Sequence, residues 1–250
     1  MTPHPEIPLP VTPRPATPSH LPLLGVATIA AAAWMALAGG SLFAPHAHPA
    51  GIGGYAASVT FWFVMMVAMM LPALWPWLSL FGSMAPGAYP TKHPALVVAQ
   101  FATGYFVVWM VYSAFAAALQ GGLQQAALLR LDLRAGTTIG GVLLVMAGIF
   151  QFTPLKDACL AHCRSPLSFF LARWNGGPSG PFRMGARHGL FCVGCCWAMM
   201  ALSFVLGIMN LLWMAVLTAM ILAEQRAPKT WRLRQAFGMA LAAWGALLLL

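Results

Sequence analysis

Cysteine occurs at Cys159, Cys163, Cys192, Cys195 and Cys196 and at no other position in the 250-residue chain. Cys159 and Cys163 lie one helical turn apart, as do Cys192 and the Cys195-Cys196 pair, so a helix brings each set to one face. The second face continues into Met199 and Met200. A matching run, Met65-Met66 and Met69-Met70, repeats at the same spacing further up the chain. Thiolate and thioether sulfurs are soft ligands that select Cu(I), whereas zinc favours a closed tetrahedron of Cys and His without methionine. The sulfur pattern therefore points to copper before zinc. His162 is a candidate further ligand, and His46-Ala47-His48 a weaker candidate for an outer loading point. Methionine is commonly a packing residue and reduced cysteine a small hydrophobe. Confinement of every cysteine to two stripes beside a methionine ladder favours metal or thiol chemistry over packing.

Helices must position these groups. Thr153 is a cap, Pro154 suits a first helical position and Pro166 stops a helix soon after Arg164, which predicts a short amphipathic helix carrying Cys159, His162 and Cys163. Around it the chain is 60% hydrophobic and 7% charged, with a mean hydropathy of +0.79. Soluble domains carry about 25% charged residues, so soluble enzymes, nucleic-acid modules and disordered chains are excluded and lipid is the expected solvent.

The expected architecture is an all-α membrane bundle of about seven spans, near residues 21–43, 55–81, 94–119, 137–152, 190–206, 210–223 and 231–250, behind a proline-rich, coreless tail over 1–20. The uncharged run from Leu190 to Ala223 would measure about 50 Å as one helix, so it is expected to fold back at Gly207-Ile208-Met209-Asn210. Ala36-Leu37-Ala38 mimics a cleavage site, but the sparse basic start argues that the first span is retained.

With seven spans, Arg14, Lys92, Lys156, Arg164, Arg173, Arg183, Arg187, Arg226, Lys229, Arg232 and Arg234 share one side, leaving Arg130 and Arg134 on the other. That bias puts the amino terminus in the cytoplasm and the carboxyl terminus in the periplasm of a bacterial inner membrane, with the cysteine-bearing connection where thiols stay reduced. Glu224 is expected to neutralise nearby arginines.

Four segments resemble a bacterial family described as predicted metal-binding integral membrane proteins. They are Trp62-x-x-Met65-x-x-Ala68-Met69-Met70-x-Pro72, Gln151-x-Thr153-Pro154-Leu155-Lys156-x-x-Cys159-Leu160-x-x-Cys163-Arg164-x-Pro166, Gly189-x-x-Cys192-x-Gly194-Cys195-Cys196-Trp197-x-Met199-Met200 and Gly207-x-Met209-Asn210-x-x-Trp213-Met214. The resemblance implies metal binding, with copper sometimes suggested, and no known reaction. The tail and the His46/His48 pair lie outside it.

The leading expectation is an integral membrane protein that handles Cu(I), as chaperone or permease, with Cys159, Cys163, Cys192, Cys195 and Cys196 as thiolate ligands. The methionines would pass the ion on, since weak thioether sites let it leave as well as enter. No nucleotide-binding segment, and no nucleophile or acid–base pair beyond the thiols, suggests an enzyme, and no nucleic acid is an expected partner. Two alternatives stay open: a membrane thiol–disulfide relay, and a non-catalytic subunit whose helix faces dock a membrane partner or a second copy.

Overall fold

The structure is a computed structural model describing residues 20–39, 51–89, 93–129, 136–208, 210–228 and 232–250. The expected tail apart from His20, and His46, His48, Arg14, Lys92, Arg130, Arg134, Met209 and Lys229, lie outside the described residues.

Among the described residues the chain is all-α. The elements are α1 (His20–Ala38), α2 (Gly51–Ala88), α3 (Pro94–Gln125), α4 (Thr137–Phe150), α5 (Pro154–Arg164), α6 (Pro166–Arg173), α7 (Gly180–Ala201), α8 (Ser203–Leu206), α9 (Leu211–Arg226) and α10 (Leu233–Leu249). α1 packs on α2, α2 on α3, α3 on α7 and α7 on α5, while α4 pairs with α10.

By length and apolar composition, three described helical runs can cross a membrane: α2, α3 and the run Gly180–Leu206. A fourth is added if α4 and α5, bent by 65° from each other, form one broken span. This corrects the expectation of seven. Apolar windows in the sequence mark burial as well as lipid contact, and several of them became short helices. At about 1.5 Å per residue, α4, α9 and α10 measure roughly 21, 24 and 26 Å, below the ~30 Å of a hydrocarbon core. The long helices also overrun their expected limits. α2 extends from 51 to 88, and α7 starts at Gly180, ten residues before the apolar run that marked it. The expected fold-back after α8 is present. Gly207 turns the chain at φ 97°, a conformation that favours glycine, and the Asn210 side chain caps α9 by accepting from Trp213 N at 3.2 Å.

α2 carries Pro72, Pro76 and Pro86 inside its length. Each proline lacks an N–H and so frees the carbonyl four residues earlier. Trp34 Nε1 of α1 donates to the Ala68 carbonyl freed by Pro72, and Arg226 Nη2 of α9 donates to the Pro72 carbonyl freed by Pro76, at 3.2 and 3.3 Å. The breaks in one helix thus become its bonds to two others.

Candidate metal centre

The cysteine-bearing α5 forms as its sequence demands. Thr153 Oγ1 accepts from Lys156 N at 3.3 Å, Pro154 opens the helix and Pro166 follows its end. Lys156, Cys159, Leu160 and Cys163 are its buried residues, and the helix packs on α7 and α9. Gly194 allows the approach, because a Cβ there would stand 2.7 Å from Cys159 Sγ.

The Sγ atoms of Cys163, Cys192 and Cys195 lie within 4.8 Å of one another, and all three residues are buried. Cys163 and Cys195 sulfurs are 3.8 Å apart. Three metal–sulfur bonds of about 2.3 Å in a plane place sulfurs roughly 4 Å apart, so the group closes on one ion with little movement. Tyr105 of α3 places its hydroxyl 3.2 Å from Cys192 Sγ. Cys195 and Cys196 thiols both donate to the Cys192 carbonyl, at 3.1 and 2.8 Å. All five cysteines are free thiols.

The other candidate residues occupy different places. Cys196 is buried on the same helix but does not join the three-sulfur group, and Cys159 rests against Gly194. His162 is half-buried, bonds through Nδ1 to the Ala158 carbonyl at 2.8 Å and stacks on Phe191 at 4.1 Å, outside the group. Met65, Met66, Met69 and Met70 are fully buried, as are Met199 and Met200. Their level follows from two aromatic contacts. Trp77 stacks on His188 at 3.6 Å, and Trp62 lies 5.1 Å from Phe204. These two contacts set α2 antiparallel to the run from His188 to Phe204, with the α2 methionines and the stretch from Cys192 to Met200 falling between the same two landmarks in sequence.

His188 is the residue that sequence reasoning missed. It precedes Cys192 by one turn, on the row that continues through Cys195 and Met199, and that periodicity was the available signal. It is buried between aromatic rings, and its Nδ1 makes no hydrogen bond among the described residues.

Lys156 and Glu224 correct a second expectation. Lys156 is no surface cation: it is fully buried and pairs with Glu224 Oε2 at 2.7 Å, with its ammonium also 3.7 Å from Met199 Sδ. Among the described residues the Glu224 carboxylate pairs with no arginine; Arg164 Nε instead donates to its backbone carbonyl at 2.8 Å. Spacing could not reveal this pair, since its members are far apart in sequence and meet only when α5 docks on α9.

Three buried thiols with no carboxylate among them, in a helical protein, are a donor set of the kind that suits a soft metal ion. The chain belongs to the PpoB2 family of copper chaperones, whose family model matches residues 59–248. That stretch holds every cysteine and the α2 methionines and leaves His46 and His48 outside. No curated protein and no solved structure matches the chain.

Proposed function

We propose that this protein is an integral membrane chaperone for Cu(I), which enters at the thiolates of Cys163, Cys192 and Cys195 and moves along methionine thioethers toward a recipient. The observation that carries the reading is the group of three buried sulfurs, drawn from α5 and α7, in a chain of the copper chaperone family. The metal is cargo. An all-sulfur site favours the cuprous ion over Zn(II), and buried thioethers hold it weakly enough to release it. Among the described residues, three helical runs of spanning length and apolar character support a place in the membrane. In this reading the protein sits in a bacterial inner membrane with the thiol group on the cytoplasmic side, where thiols stay reduced.

The test is Cu(I) titration of the detergent-purified full chain under anaerobic, reducing conditions, in competition with a chromophoric chelator and beside Zn(II). Wild type is expected to take up near-stoichiometric copper in preference to zinc. Cys163→Ser and Cys195→Ser should each lose it, while Cys159→Ser keeps most of it. Equal trace copper in wild type and Cys195→Ser overturns the reading. A double substitution of Met66 and Met69 by leucine should keep uptake and slow transfer of the ion to an added acceptor.

A further inference from the structure

On the side of α5 opposite its cysteines, a cavity of about 460 Å³ opens between that helix and the start of α10. Its wall carries Arg164 from α5 and Arg232 and Arg234 from the α10 end, against one carboxylate, Asp157. Two of the guanidiniums are held in place. Arg164 is anchored through Nε on the Glu224 carbonyl, and its two terminal nitrogens make no hydrogen bond among the described residues. Arg234 is fixed by bonds to the Thr153 carbonyl at 3.3 Å and to Asp157 Oδ2 at 3.0 Å. Arg232 is exposed and makes no hydrogen bond or ion pair among the described residues. Fixed guanidinium forks around a concave space are the arrangement that recognises phosphate oxygens, two at a time.

We infer that this cavity binds a phosphate group, with an anionic phospholipid headgroup as its natural source. Its size suits a small headgroup and exceeds what a single inorganic ion needs. It sits at the polar end of α10, whose outer face exposes Met239, Trp244 and Leu247 where acyl chains would lie. Basic pockets between apolar helices recognise anionic headgroups in this way. The site is separate from the thiol group, so it stands or falls independently of copper binding.

The test uses the metal-free full chain in micelles of a neutral detergent. Binding is followed by the shift in thermal unfolding as short-chain phosphatidylglycerol, short-chain phosphatidylcholine or inorganic phosphate is added. Phosphatidylglycerol should stabilise the wild type saturably and phosphatidylcholine should do so far less. Arg232→Gln, and Gln235→Glu, which puts a second carboxylate into the cavity wall that Gln235 also lines, should each weaken the response by at least about tenfold while unfolding like wild type without ligand. Arg183→Gln removes a charge elsewhere and should change nothing. Saturation by inorganic phosphate alone, lost in Arg232→Gln, supports the site and assigns it to free phosphate. An unchanged response in both cavity variants, or an equal loss in Arg183→Gln, overturns it, the latter because it would show diffuse charge attraction.

Discussion

Tyr105 and Cys192 show how a single atom trims the centre. The hydroxyl, 3.2 Å from Cys192 Sγ, comes from α3, outside the two helices that carry the three sulfurs. A neutral hydrogen bond is worth roughly 1 kcal/mol net, which corresponds to about fivefold in an equilibrium constant. Tyr105→Phe should therefore shift Cu(I) affinity by less than about tenfold, where Cys195→Ser abolishes uptake. Competition titration separates the two; a Tyr105→Phe protein without copper would make the hydroxyl a ligand. Thiols must lose their protons to bind metal, so the wild-type affinity should also rise with pH. Cys159→Ser, which keeps the three grouped thiols, should show the same rise.

Helix contacts decide whether those atoms meet. α3 and α7 cross at glycines: a Cβ on Gly104 would collide with the Phe182 carbonyl, and one on Gly185 with the Phe101 carbonyl. Backbone cannot yield as a side-chain tip can, and close crossing at small residues is how apolar helices associate. Gly185→Ala should cost about 1–3 kcal/mol through overpacking and lower the melting temperature of the purified protein by several degrees. Gly121→Ala in α3, where nothing lies near the added methyl, should be neutral or slightly stabilising. Equal melting of the two variants would deny the crossing its role. Gly141 and Gly148 of α4 meet Gly245 and Gly238 of α10 in the same manner, which explains why that pair stays together although each helix is short.

The whole molecule is tied by the buried Lys156–Glu224 pair, which fastens the cysteine helix α5 to α9 beneath Met199. A buried ion pair adds little net stability, but removing one partner strands the other charge and costs about 3–5 kcal/mol. Lys156→Met alone should unfold readily and lose copper, since α5 carries Cys163. Adding Glu224→Leu to it should restore most of the stability. A double variant no more stable than the single would show that the ammonium itself is needed beside the sulfur site, and copper uptake in the double variant reads that directly.

The helical class, the capped α5 with Cys159 and Cys163 on one face, the sulfur stripe of α7 and the reversal at Gly207 all follow from local rules: capping, proline stops, glycine turns and a 3.6-residue period. These act within a few residues, so the amino-acid order contains them. Membrane-length helices are only half local. Apolar runs show which segments avoid water, but not whether lipid or other helices cover them, which is why seven apolar windows yielded three or four helical runs of spanning length among the described residues. Tertiary structure alone chose which three of five thiols meet, set Cys159 apart against Gly194, drew His188 into an aromatic stack and buried Lys156 against Glu224. Each of those outcomes depends on two helices docking at a particular depth and rotation, and packing across helices fixes both.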